Sequence, residues 1–319
     1  VYTILESSDE KDTKLWIGTR GKGLILYDRQ SRQITQYNEG FVTTLLQDHA
    51  GRIWVGSDVG LGRLMQARGG DVTLDLVQHE PDIANSLSDN YITRLYEDAS
   101  GALWVGTYNG LNRLDEFFPN FTNYQHRPGD PNSLGHNFVL PIMEDRNGNI
   151  LFGTFGAGIF VLHQRGLGEE RFTHLKHDTP RAHGLCSDNV RSLLQDRAGI
   201  IWIGTGAGLT MYNPASEAFT CYPKIPPENM AVFWTESLGE SRDGTIWAGG
   251  TITGLVKIER AENDSRHPLK FTRFLMQGFT GPGESNFMAI ETKIRKGERI
   301  VIASKHPLIS TSFLERSYI

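Results

Sequence analysis

The side chains in this sequence that could hold a ligand are aromatic rings set beside guanidinium and amide groups at recurring positions. Tyr91, Phe138 and Trp234 occupy one slot together with Phe41, and Asn189 fills the same slot once. Arg20, Lys22, Asp58, Tyr108, Asn109 and Phe155 stand in a second slot, the short gap after a Gly-Thr or Gly-Ser pair. Arg94 and Arg191 follow the first slot by three and two residues. Aromatic rings stack on the apolar faces of pyranoses, while amides and guanidinium groups bond hydroxyls and carboxylates. The set suits an oligosaccharide.

Catalytic chemistry finds less support. A glycosidase needs two facing carboxylates, and a lyase needs a base with a group that neutralises a carboxylate. Beyond Asp58 the gaps hold no carboxylate cluster, and His126, His136, His177 and His183 are scattered in connecting segments. No nucleophile elbow, P-loop or Gly-rich dinucleotide loop is present, and "GFTGPGES" (278–285) reads as a long connecting loop. "DRNGN" (145–149) lacks the alternating oxygens and closing Glu of a calcium loop and reads as a turn. No catalytic residue, metal or cofactor is expected. A carbohydrate-active lyase or glycosidase, and a protein-interaction scaffold, are the alternatives.

The elements that must position these residues come from a repeat. A block of the form [IL]-W-[IV]-G-[TS] places Trp16, Trp54, Trp104, Trp202 and Trp247 in one slot, with Leu151 and Val301 in the corresponding places. The steps between slots run from 38 to 54 residues. Before each block, an alternating apolar stretch such as "YITRLYED" (91–98) ends in a D-x-x-G turn, as in Asp98 to Gly101. After it come a Gly-Leu stretch such as "GLNRLD" and a Phe-Thr stretch such as "FTNY" (121–124). Four short strands at this spacing mark a β-propeller blade. The expected fold is all-β, a single seven-bladed propeller of four-stranded antiparallel blades. The blades fall near 1–40, 41–88, 89–136, 137–187, 188–229, 230–285 and 286–319. With Pro307-Leu308 in the Gly-Leu position, the fourth strand of the last blade would start near Tyr318, so that blade reads as incomplete and the chain as a fragment of a longer one. The Trp slot serves as filler between blades. In such a blade the starts of the first strands and the gaps between second and third strands converge on one face near the axis, where a ligand would sit.

At 39% hydrophobic and 22% charged residues the chain can bury cores, and 35 glycines fit many tight turns. A net charge of −5 and no Lys/Arg stripe argue against nucleic acid. No apolar run is long enough to cross a membrane. Cys186 and Cys221 read as two separate thiols.

Written out, the repeat resembles the two-component regulator propeller family, with its D-x-x-G-x-[IL]-W-[IV]-G-T-x-x-G-[IL] pattern and its "NSLS" lead-in. The lead-ins here are "NSLSDNYI" (85–92), "NSLGHNFV" (132–139) and "HGLCSDNV" (183–190), and the pattern weakens in blades six and seven. The resemblance implies an extracytoplasmic, periplasmic sensor region of a membrane-anchored hybrid histidine kinase or a diguanylate cyclase. Many members respond to oligosaccharides and usually pair two propellers with a β-sandwich, a transmembrane helix and signalling domains. It also implies a receptor that works as a homodimer, with no catalysis by the propeller itself.

Overall fold

The computed structural model describes residues 1–6, 14–37, 40–66, 72–115, 118–130, 133–163, 171–177, 184–225, 230–231, 234–250, 254–260, 269–274, 290–291 and 301–302. Every regular element among them is a strand. Six four-stranded antiparallel sheets follow one another, each with its strands in chain order. The first holds Thr3–Glu6, Lys14–Gly18, Leu24–Asp28 and Ile34–Gln36; the second Val42–Gln47, Ile53–Ser57, Leu61–Gln66 and Val72–Val77. The third holds Ile92–Glu97, Leu103–Thr107, Gly110–Asp115 and Phe118–Tyr124; the fourth Val139–Glu144, Ile150–Thr154, Ile159–His163 and Arg171–Leu175. The fifth holds Val190–Gln195, Ile201–Thr205, Gly208–Asn213 and Ala218–Tyr222; the sixth Thr235–Glu240, Ile246–Gly250, Gly254–Arg260 and Leu269–Phe274.

The first strands of consecutive sheets pack against one another from sheet one to sheet six. They form the inner wall of a β-propeller. Ile290 pairs with Ile302, where the first two strands of a seventh blade are expected, and this pair neighbours the first strand of sheet six. The rest of that blade, Pro307-Leu308, the 278–285 loop, the Ile252-Thr253 gap and His183 lie outside the described residues. A small hairpin, Lys224–Ile225 with Met230–Ala231, spans the boundary expected at 229/230.

The apolar residues form five clusters, and each joins two adjacent sheets. Trp16 and Leu24 meet Val42 and Val55; Trp54 and Leu61 meet Ile92 and Val105. Trp104 and Leu111 meet Ile142 and Phe152; Leu151 and Ile159 meet Val190 and Ile203; Trp202 and Leu209 meet Ile246 and Val256. The Trp slot therefore faces the following blade. Trp247 departs from this pattern, being only half-buried, with its ring 5.7 Å from Phe274. The slot works because the Gly two residues on lets the next first strand come close. A Cβ on Gly56 would stand 2.7 Å from Ile92, and one on Gly153 would stand 2.4 Å from Val190.

The D-x-x-G turns close as the sequence suggests, with Gly101 N–H donating to the Asp98 carbonyl (2.9 Å) and Gly148 to that of Asp145 (3.0 Å). In "DRNGN" the Asp145 carboxylate accepts from Asn147 and Asn149 backbone N–H and from the Asn149 side chain. Its oxygens are spent on the turn, and no metal-holding cluster occurs among the described residues.

Cys186 and Cys221 are not separate thiols but one disulfide, with Cα atoms 5.3 Å apart. Superposing the repeats explains it. Cys221 stands where Asn123 stands in sheet three, and Asn123 donates to the carbonyls of Ala84 and Ser86 in the lead-in loop. Blade five ties its outer strand to its lead-in covalently, where blade three uses hydrogen bonds.

Candidate functional site

Two repeated devices build the face where the candidate residues meet. In sheets two to five the first residue of the gap donates its N–H to the carbonyl of the residue that starts the same blade's first strand. These bonds run from Asp58 to Phe41 (3.2 Å), Tyr108 to Tyr91 (3.3 Å), Phe155 to Phe138 (3.0 Å) and Gly206 to Asn189 (2.8 Å). Each of these gaps is therefore pinned over a strand start, and the Ser or Thr before it bonds the carbonyl of the Gly that follows. At Gly110 the gap closes with φ +136°, and a Cβ there would meet the Tyr124 carbonyl at 2.7 Å. The second device is a β-bulge in each first strand from sheet two onward, which breaks the alternation at Thr43, Thr93, Leu140, Arg191 and Glu236. Bulges re-aim side chains, and here they do so beside the axis.

The result is a continuous line of rings. Tyr2 lies 4.5 Å from Phe41, and Phe41 lies 5.9 Å from Tyr91. Tyr91 stacks on Tyr108 at 3.9 Å, and Tyr108 sits 4.2 Å from Phe138. Phe138 stacks on Phe155 at 5.6 Å. The Arg191 guanidinium then bridges Phe155 (5.0 Å) and Trp234 (4.1 Å). Six sheets contribute. The rings are not sealed into a core: Tyr108 is 43% exposed, and the other rings of the line are half-buried. Trp234 holds a left-handed backbone, φ 57°, which is strained for a bulky residue and is the sort of strain found at functional positions.

The charges converge with the rings. Burial raises the Tyr2 hydroxyl's pKa, the Arg20 charge opposes this, and Tyr108 and Glu236 add to it. Tyr91 is raised by burial, by its hydrogen bond with Tyr108 and by the charges of Tyr108, Tyr2 and Asp58. Burial lowers both Arg94 and Arg191, and Glu236 opposes the shift in each. Yet the Arg94 side chain is open to water. Arg94 is thus crowded by protein without being closed off from solvent, and the rings of the line beside the inner strands are themselves only partly covered.

Of the residues singled out in the sequence, the structure brings together Arg20, Asp58, Tyr91, Arg94, Tyr108, Phe138, Phe155, Arg191 and Trp234. Lys22 does not join them; its backbone N–H caps Thr19 at an exposed turn. Asn109 is near but spent: its side chain accepts from Asn137 (2.9 Å) and donates to the Ser88 carbonyl (3.5 Å). Tyr2 and Glu236 were missed, although Glu236 aligns with Arg191 in the repeat. Of the histidines named in the connecting segments, His126 and His177 share a role with His79, whereas His136 accepts from the Phe138 N–H. His79, His126 and His177 each take an Asn or Asp side chain on the backbone N–H, from Asn90, Asn137 and Asp188. Each also donates Nδ1–H to a Leu carbonyl eight residues on, at Leu87, Leu134 and Leu185. They clasp the lead-in loops.

Converging inner strands and cores shared between neighbouring sheets define a β-propeller, with a line of half-buried rings beside its inner strands. The family model of the two-component regulator propeller matches three of its repeats, at residues 36–58, 86–109 and 184–207. Among solved structures, the chain is similar to the extracellular domain assigned to hybrid two-component system BT3049 of B. thetaiotaomicron. The TM-score is 0.65 and the identity 22%, over 86% of this chain and 35% of that one. It is also similar to virginiamycin B lyase from Staphylococcus aureus (TM-score 0.57, 15% identity, 86% of this chain and 85% of that one). A third is PorZ of Porphyromonas gingivalis, a surface component of the type-IX secretion system (TM-score 0.57, 16% identity, 77% and 37%). At these identities the likeness is one of fold. The chain spans 35% of the first of these structures, and no curated protein matches it.

Proposed function

We propose that this chain is a ligand-sensing propeller from the extracytoplasmic part of a two-component-type receptor, binding an oligosaccharide at this line of rings without chemical change. The observation that carries the reading is the unbroken line from Tyr2 through Phe41, Tyr91, Tyr108 and Phe138 to Phe155. Such a line offers a sugar the ring edges and those faces that neighbouring rings leave uncovered, above all at the exposed Tyr108. The repeat family and the fold of the B. thetaiotaomicron extracellular domain support a sensor, and the Cys186–Cys221 disulfide supports an oxidising compartment such as the periplasm. Signal would pass to membrane and output domains of the parent, in a homodimer.

The lyase fold neighbour gives the competing reading. Against it, Tyr91 is pushed away from base character, and His79, His126 and His177 are committed to their clasps. A thermal-shift screen against an oligosaccharide library, with product analysis of each hit, separates the readings. The expected result is a stabilising glycan recovered intact, with affinity at least about 10-fold weaker in Tyr108→Ala, a loss of ~1.4 kcal/mol. A cleaved glycan would establish an enzyme. Protein capture without any glycan hit would favour a scaffold.

A further inference from the structure

Arg191 differs from Arg29, Arg113, Arg52 and Arg63 in how its charge is met. Arg29 and Arg113 also bury an Nε without a hydrogen-bond partner, but each has a carboxylate on its guanidinium, Glu6 at 2.5 Å and Asp115 at 2.8 Å. Arg52 and Arg63 are likewise paired, with Asp48 and Asp75. Among the described residues Arg191 has no such ion pair, and its Nε is buried and unpartnered. Its guanidinium lies over the rings of Phe155, at 5.0 Å, and Trp234, at 4.1 Å. Arg94 and Arg20, whose charges fall on the same group of residues, have no ion pair among the described residues either.

The acids facing the same space are Glu236, whose charge reaches Arg94 and Arg191, and Asp58, whose charge reaches Tyr91. Neither lies within ion-pairing distance of these arginines. Three guanidiniums face two carboxylates, which leaves one positive charge in excess, and the buried Nε without a partner is on the positive side. Planar guanidinium forks match carboxylate and sulfate oxygens in bidentate fashion.

We propose that the line of rings recognises an anionic substituent on its saccharide, a carboxylate or a sulfate ester, with Arg191 as its principal contact and Arg94 as a second positive charge. This rests on the oligosaccharide reading above. Phe155 and Trp234 hold the fork in place before the ligand arrives, and the sugar ring carrying the anion would continue the line of rings at Phe138 and Phe155.

The test is calorimetric titration with a panel of uronate-containing, sulfated and neutral oligosaccharides, each uronate member paired with its methyl ester and each sulfated member with its desulfated form. The expected result is binding of a charged member at least about 10-fold tighter than its uncharged twin, equal to ~1.4 kcal/mol. That preference should vanish in Arg191→Met, which keeps most of the apolar stem, and weaken in Arg94→Gln. Whether ester formation or desulfation removes binding tells the carboxylate from the sulfate. If charged and uncharged twins bind alike, or only neutral members bind, the anion proposal falls and the oligosaccharide reading stands. If no member of the panel binds, the oligosaccharide reading falls with it.

Discussion

Asp98 shows how one residue serves turn and core together. Its carboxylate accepts from Ser100 and Ala102 backbone N–H, from the Ser100 hydroxyl, and from Trp104 Nε1 at 2.7 Å. Trp54 meets Asp48 at 2.8 Å, and Trp202 meets Asp196 at 2.9 Å. The sequence shows Asp and Trp six residues apart in these blades, but reading one as a turn former and the other as filler misses the bond between them. The departures carry the same message. Leu151 has no side-chain N–H to offer, and Asp145 takes the Asn149 side chain instead. Where Ser241 replaces the Asp, Trp247 is only half-buried. Burial raises the Asp98 pKa, but hydrogen bonds from Ser100, Trp104 and Ala102 outweigh it, and the folded value lies below the ordinary one. A depressed folded pKa stabilises at pH above the unfolded value, about 3.9, and that contribution is lost as pH falls through the folded value. Asp98→Ala should therefore lower stability at pH 7 by about 1–3 kcal/mol, because it leaves the buried indole N–H unsatisfied. The gap from wild type should narrow toward pH 2. Urea midpoints measured across pH check this, and a gap as wide at pH 2 as at pH 7 would refute the linkage.

At the scale of elements, the lead-in loops are fastened by a device the sequence hides. The His clasps span eight and eleven residues, a spacing that matches no strand or helix period, so the histidines look incidental until the loops are seen closed. The turns opposite are latched as well. His49, Ala99, Arg146 and Arg197 donate backbone N–H to Glu97, Glu144, Gln195 and Glu240 at the end of the next blade's first strand. The disulfide was hidden for a related reason. A separation of 35 residues says nothing about proximity, whereas the slot each Cys occupies in the repeat does, since Asn123 already joins the corresponding strand to its loop. Closing a loop of this length contributes about 2–4 kcal/mol. Cys186→Ser should lower the unfolding midpoint accordingly, and reductant should do the same to wild type while leaving Cys186→Ser unchanged. Thiol titration of the denatured, unreduced protein should find no reactive thiol; two reactive thiols would refute the pairing.

At the scale of the molecule, architecture and site are legible to different degrees because they obey opposite rules. The cores between sheets repeat, so the spacing of Trp16, Trp54, Trp104, Trp202 and Trp247 reveals the blades. The line of rings lies where blades differ, and the repeat can show its slots but not which occupants meet. Tyr108 and Arg191 reach the line of rings, Asn109 turns back to Asn137, and Glu236 enters through a bulge that no pattern of types announces. Because each sheet buries its faces only against its neighbours, the loss of one filler is felt by two sheets. Trp104 is 0% exposed and packs with Leu134, Ile142 and Phe152 across the boundary of sheets three and four. Trp104→Ala should cost about 3–5 kcal/mol. If the sheets unfold as one unit, far-UV circular dichroism and the fluorescence of the remaining tryptophans will shift to lower denaturant by the same amount. Affinity at the line of rings should change little in conditions where the variant is folded, since Tyr108 and Phe138 bridge the same two sheets beside the inner strands. A fluorescence transition that stays at the wild-type midpoint while the circular dichroism moves would mean that blades melt independently, and that the line of rings could lose one blade's share without losing the rest.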